Sequence, residues 1–281
     1  MKTLSSFKRQ KDYLVCVDSD GCAMDTMDVK HYRCFGPCMV AEWDLAERQE
    51  EILHRWNDIN LYTITRGINR FRGLAKALRE IHDSHRLIDG IRELEIWVEN
   101  SPELSADALR RAIAEHPETS VFQKALSWST AVNEAISALP DEVKQPFPLV
   151  REALEKAHGV ADVAIVSSAN PDAVLAEWRE HGLLEHVDVV MTQNDGSKAR
   201  CIGALMDHGY DPTGVLMCGD APGDMAAAEK NGVFFYPILV RTEGESWDEF
   251  IREGCDRLIS GQFGGEYQAL KKEQFLRNLG E

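Results

Sequence analysis

Tyr13-Leu14-Val15-Cys16-Val17-Asp18-Ser19-Asp20-Gly21 decides how this chain is built. Its first five residues are apolar and rich in Tyr and Val, which reads as a buried strand. The polarity then changes abruptly, to two carboxylates separated by one residue and a glycine suited to a tight turn. In an open α/β sheet, ligands bind beyond the carboxyl ends of the strands, so Asp18 and Asp20 stand where a site would form.

Outward from this stretch the texture changes twice. From about Met39 to His158 the apolar spacing is helical, with helices expected over 40–59, 73–87, 119–139 and 149–158 and another start at Ser101, with Pro102 in its first turn. Beyond that block, apolar runs at 163–166, 187–191, 215–218 and 233–236 alternate with helical patterns over 172–181, 197–208 and 222–231. Such alternation predicts a parallel sheet covered by helices. The expected architecture is therefore a doubly wound α/β core, residues 1–26 and 160–281, with a helical subdomain, residues 27–159, inserted behind the first strand. From about Glu243 the chain reads as helices around the glycine-rich turn Gly261 to Gly265, packed on the core.

Composition narrows the partners. Of 281 residues, 44% are hydrophobic and 28% charged, as in globular domains. The longest nearly apolar run, 233–240, is broken by Pro237 and falls far short of the roughly 20 residues of a membrane-spanning helix. With 31 basic against 47 acidic residues, the net charge of −16 repels nucleic-acid backbones and anionic membranes, so neither is an expected partner. A small phosphorylated substrate stays compatible, because a bound cation and one or two basic side chains reverse the local field. The seven cysteines are scattered from Cys16 to Cys255 and form no disulfide framework. Together with the brevity of the 14–17 run after Lys8, Arg9 and Lys11, they point to the cytoplasm. Cys34 and Cys38 lack a second ligand pair and read as ordinary thiols.

The residues that follow each apolar run form an ordered set: Asp18 and Asp20, then Ser167 and Ser168, then Lys198, then Gly219-Asp220 with Asp224 four residues on. Taken singly, each is a common cap or turn residue. Taken together, they bring four carboxylates, a hydroxyl and an ammonium to one end of one sheet. Carboxylates crowded in this way repel unless a cation neutralises them. Mg2+, a hard ion that takes oxygen ligands and commonly meets phosphate, suits Asp18, Asp220 and Asp224 better than any His or Cys grouping in the chain.

This order resembles the haloacid dehalogenase superfamily of phosphohydrolases, whose motifs are an Asp-x-Asp after the first strand, a Ser or Thr, a Lys, and a Gly-Asp-x-x-x-Asp. The likeness covers 13–22 and 163–236, and the helical block sits where that family inserts a cap. The resemblance implies that Asp18 is the nucleophile, forming an aspartyl phosphate, and that Asp20 is the acid and base. It further implies that Ser167 and Lys198 steady the phosphoryl group and that Asp18, Asp220, Asp224 and the Asp20 backbone carbonyl hold Mg2+. A carboxylate at Asp20 favours a phosphatase or phosphomutase over the dehalogenase and phosphonatase branches. Two positions depart from the pattern: Cys22 stands where Thr or Val is usual, and Ala199 follows Lys198 where capped relatives commonly have Pro.

A second stretch, Arg66-Gly67-Ile68-Asn69-Arg70, resembles the specificity loop of β-phosphoglucomutase-like members, as does Asp25-Thr26 after the first motif. This implies substrate contacts from Arg66, Gly67 and Arg70, with Ser168 beside them, since an Arg fork binds phosphate or carboxylate bidentately. The expected activity is Mg2+-dependent hydrolysis of a small phosphorylated metabolite. The alternatives are a phosphomutase and, from another class, a phospho-accepting signalling or binding protein, against which the Asp-x-Asp spacing and the large insertion argue. His82 and His85 read as solvated, the six tryptophans as packing or interface residues, and His31 as a hinge or packing residue that would touch substrate only at the edge of the insertion. The sequence leaves the oligomeric state open.

Overall fold

Strand β1 (Tyr13–Val17) takes in the opening apolar run residue for residue. The computed structural model describes residues 3–281, so residues 1 and 2 of the expected core segment lie outside the described residues. Four more strands follow: β2 (Ala161–Val166), β3 (Val189–Met191), β4 (Val215–Gly219) and β5 (Phe234–Pro237). All pair in parallel in the order β3-β2-β1-β4-β5. Val17 faces Ile165 on one side and Cys218 on the other, so the strand order reverses between β1 and β4. That reversal opens the crevice in which a doubly wound sheet holds its ligands.

The strands are hydrophobic on both faces, as a buried parallel sheet requires. Val15, Val17, Val163, Ile165, Leu216, Cys218 and Tyr236 join one core with Trp178, Trp247 and Phe263. The alternate residues Leu14, Cys16, Ala164, Val166, Met217 and Phe235 are buried as well. Phe235 meets Phe275 of helix Glu266–Asn278 edge-on, at 5.1 Å between ring centroids. Helices Pro171–Glu180, Lys198–Met206 and Pro222–Asn231 link the strands, close to the bounds expected from sequence. Past β5, helices Glu243–Glu249, Cys255–Ile259 and Glu266–Asn278 complete this unit.

The described chain divides into a sheet unit, residues 3–27 and 141–281, and a helical unit, residues 28–140. The second boundary thus falls earlier than the expected 159. Helix Val150–Val160 buries Val150, Ala153, Leu154 and Ala157 in the core of the sheet, which gives it to that unit. The helical unit has its own core, built on Trp43, Trp56, Phe71, Leu78, Leu94 and Trp128.

Three helical expectations for this unit need correction. The helix expected over 40–59 is two, Gly36–Glu42 and Gln49–Asn57, parted where Asp44 takes a positive φ of 53°. The start expected at Ser101 lies instead at Ser105, whose Oγ accepts from the Ala108 amide at 3.1 Å and caps helix Ala106–Glu115. Helix Ile91–Asn100 falls outside the helices expected from sequence, although Ile91, Leu94 and Val98 bury one face at helical spacing. Among the described residues, no helix is long and apolar enough to cross a membrane.

Candidate active site at the ends of β1 and β4

Asp18 is the first residue past β1, and its amide donates to the Cys218 carbonyl at 3.0 Å, so the β1–β4 ladder fixes it. The chain then turns through Gly21, at a φ of +81° that favours glycine. The amides of Cys22, Ala23 and Met24 converge on the Ser19 carbonyl at 3.3, 3.0 and 2.8 Å. Asp20, half-buried on this turn, accepts from the Thr26 hydroxyl at 2.6 Å.

Across the crevice, β4 ends at Gly219 and delivers Asp220, while Asp224 lies in the first turn of helix Pro222–Asn231. Asp224 Oδ2 accepts from the Ala221 amide at 3.1 Å, and the Asp224 amide donates to the Ala221 carbonyl at 2.9 Å. Gly219 is needed here for space. A Cβ at this position would lie 2.4 Å from Asp224 Cβ and Cγ and 2.5 Å from its Oδ2. The carboxylate can lie against the strand end only because the strand ends in glycine.

Lys198, the first residue of its helix, joins the two sides. Its Nζ lies 2.7 Å from Asp18 Oδ2 and 2.5 Å from Asp224 Oδ1. Asp18 Oδ1 accepts from the Ser19 amide at 2.8 Å. Burial pushes the Asp18 carboxyl up to about 6, against the pull of Lys198 and reinforced by Asp224. It raises Asp224 in the same way. Burial alone would lower the Lys198 ammonium, but Asp18 and Asp224 outweigh it and hold Lys198 charged, well above its ordinary value.

Asp18, Asp220 and Asp224 are all buried, and each offers an oxygen within 4.8 Å of the others. Three carboxylates against one ammonium leave an excess of two negative charges in a buried space, the charge of one divalent cation. An all-oxygen donor set, with no His or Cys, fits a hard ion such as Mg2+. Among the described residues no other group of three or more candidate ligands occurs. Cys34 and Cys38 lie in the helical unit with their thiols pushed up by burial.

Ser167 follows β2 and is buried, with its amide on the Met191 carbonyl at 3.0 Å and its Oγ accepting from the Ala169 amide at 3.2 Å. Ser168 is exposed. In the helical unit, Arg66 is 1% exposed and donates to the Leu61 carbonyl at 2.7 Å. Gly67 is exposed with a φ of +69°. Arg70 begins helix Arg70–Ser84, donates through Nη1 to Ser129 Oγ and Asn133 Oδ1, and lies over the Phe35 ring. His31 stacks on Phe35 at 4.6 Å and accepts from the Trp56 indole. His82 receives the Ile88 amide, and His85 meets Arg48 and Glu51.

Two structural roles have no signature in the sequence. The Trp178 indole donates to Ser19 Oγ at 2.9 Å, and the Trp247 indole donates to the Cys22 carbonyl at 3.0 Å. Donor and acceptor lie 159 and 225 residues apart, beyond any local pattern.

A doubly wound parallel sheet with an all-carboxylate, cation-ready centre at its switch point defines the general class. Residues 97–238, half of the chain, match the model for haloacid dehalogenase-like hydrolases, and the chain belongs to that family. No curated protein matches its sequence. Among solved structures it is similar to a predicted phosphatase from Clostridium acetobutylicum, with a TM-score of 0.52 over 89% of this chain and 100% of the other, at 13% identity. It is also similar to a protein named "putative phosphoglycolate phosphatase" from Lactobacillus delbrueckii subsp. bulgaricus. That likeness has a TM-score of 0.50 over 80% of this chain and 85% of the other, at 12% identity. At these identities the likeness concerns the fold.

Proposed function

We propose that this protein is a phosphatase that hydrolyses a small phosphorylated metabolite with Mg2+ as cofactor. The observation that carries the reading is the Asp18–Lys198–Asp224 bridge, which joins the ends of the two central strands beside Asp220.

Asp18 attacks phosphorus, forming an aspartyl phosphate, while the proton on Asp20 passes to the departing alcohol oxygen. Asp20, now ionised, takes a proton from a water that attacks the same phosphorus. Inorganic phosphate leaves and the Asp18 carboxylate is restored. The Thr26 hydroxyl donates to Asp20 Oδ1 and so orients the carboxyl that serves both steps. Lys198 offsets the charge between nucleophile and phosphoryl oxygens, and Ser167 adds a hydroxyl donor. Mg2+, held by Asp18, Asp220, Asp224 and the Asp20 carbonyl, would supply Lewis-acid neutralisation of the transferring group. In the same reading Ser168, Arg66, Gly67 and Arg70 supply substrate contacts. Membership of the haloacid dehalogenase-like hydrolase family supports this reaction class.

The test is phosphate release from a broad panel of phosphorylated metabolites, with Mg2+ and with chelator, using Asp18→Asn as the blank. Metal-dependent release that disappears in the variant is the expected result. Normal turnover in Asp18→Asn would refute the mechanism, and isotopic label retained in a sugar without free phosphate would establish a mutase instead.

A further inference from the structure

The turn carrying Asp18 and Asp20 is held from outside as well as from within. Its inner bonds gather the Cys22, Ala23 and Met24 amides on one carbonyl, that of Ser19. Its outer bonds come from two indoles, Trp178 on helix Pro171–Glu180 and Trp247 on helix Glu243–Glu249. Ser19, Cys22, Trp178 and Trp247 are all at most 1% exposed, so no water replaces these donors when they are lost. Ser19 stands between the two carboxylates, and Cys22 closes the turn behind them. The carbonyl end of that turn is therefore set by a helix beyond the last strand.

We infer that Trp178 and Trp247 are positioning residues for reaction at Asp18 and Asp20, so that the C-terminal helical segment belongs to the catalytic machinery. The inference rests on the phosphatase reading for its kinetic consequence but not for its structural one. A rigid indole donor fixes the distance and direction of the group it holds, the Cys22 carbonyl for Trp247 and the Ser19 hydroxyl for Trp178, and displacement of reacting groups by about 1 Å costs up to about a hundredfold in rate.

The experiment compares Trp178→Phe and Trp247→Phe, which keep an aromatic ring and delete the donor, with Ser19→Ala, which deletes the Trp178 acceptor with almost no loss of core volume. Tyr13→Phe is the reference: it removes a hydroxyl that donates to the Ile259 carbonyl at 2.7 Å, at the far end of β1 from the site. Two quantities are measured with Mg2+ present: kcat and KM for the best substrate of the panel, and hydrogen exchange of the Cys22, Ala23 and Met24 amides.

Expected is a fall in kcat of about tenfold or more with KM within about twofold, accompanied by faster exchange at those three amides in the Trp and Ser variants. Tyr13→Phe should keep the wild-type kcat and exchange, even where its melting temperature falls. Unchanged kcat in folded Trp247→Phe and Ser19→Ala, or unchanged exchange at 22–24, overturns the inference. If Trp178→Phe does not fold, Ser19→Ala decides for Trp178; if Trp247→Phe does not fold, hydrogen exchange of the Trp247 indole N–H in the wild type decides for Trp247, and exchange as fast as that of a solvent-exposed indole overturns its part. If the wild type releases phosphate from nothing, the phosphatase reading fails and the exchange measurement still judges the positioning.

Discussion

Gly219→Ala places one methyl group where the structure leaves no room, and its consequences can be worked through atom by atom. The glycine has no positive φ, so alanine fits the backbone and only the side-chain space is at issue. The new Cβ would lie 2.4 Å from Asp224 Cβ and Cγ, and ordinary contact begins at 3.4 Å, so Asp224 must retreat by about 1 Å. Retreat loosens its bonds to the Ala221 amide and to Lys198, now 3.1 and 2.5 Å long. Overpacking costs about 1–3 kcal/mol, and weakening a buried ion pair approaches about 3–5 kcal/mol when one partner is lost outright. We therefore expect a loss of about 3 kcal/mol, a fall in melting temperature of about 6–12 °C at about 2–4 °C per kcal/mol, and a fall in kcat of about a hundredfold. Gly223→Ala is the paired control: it lies in the helix that carries Asp224, its added Cβ meets nothing within 4 Å beyond its own helix backbone and chain neighbours, and it should be neutral or stabilising by up to about 1 kcal/mol. Melting is followed by differential scanning calorimetry with Mg2+ and with chelator, and turnover by phosphate release. A Gly219→Ala protein that melts and gains stability from Mg2+ as the wild type does would refute the claim that Asp224 is held against the strand end.

Lys198→Met leaves Asp18 and Asp224 facing each other without their common counter-charge, a loss of about 3–5 kcal/mol in chelator that Mg2+ should largely restore; equal destabilisation in both media would argue against a cation among these carboxylates. Arg70→Ala should raise KM about tenfold with kcat little changed, and should lower stability by about 1 kcal/mol through the lost bonds to Ser129 and Asn133. Unchanged KM in steady-state kinetics would remove Arg70 from substrate binding. Ser105→Ala deletes an N-cap in the helical unit and should cost about 1 kcal/mol in chemical denaturation while leaving turnover untouched.

The sheet could be read from the chain because a strand buried on both faces writes a continuous apolar run, as 13–17 and 215–218 do. The candidate set at the strand ends was equally visible, since a parallel sheet delivers whatever follows each run to the same edge. What was hidden depended on distance or on backbone geometry. The break at 43–48 turns on a single residue, Asp44, in a conformation that its type only weakly foretells. Pro102 resembled the first turn of a helix, yet the hydroxyl that caps helix Ala106–Glu115 belongs to Ser105. Trp178 and Trp247 looked like packing residues, and they do pack; their bonds to the turn after β1 join segments 159 and 225 residues apart, which no local pattern encodes. Gly219 looked like turn chemistry, whereas its missing side chain serves Asp224.

The insertion between β1 and β2 has a consequence for biosynthesis. The central strand leaves the ribosome first, yet β2 follows only after about 140 residues, or about 7–28 s at ~5–20 residues per second. Its other neighbour, β4, arrives later still. During that interval Leu14-Val15-Cys16-Val17 is an apolar segment with no partner on either edge, while residues 28–140 already hold enough of their own core to collapse separately. Whatever shields those four residues in the meantime governs the yield of folded protein, and charges placed just before them, at Lys8, Arg9, Lys11 and Asp12, are where nature would put gatekeepers against premature association.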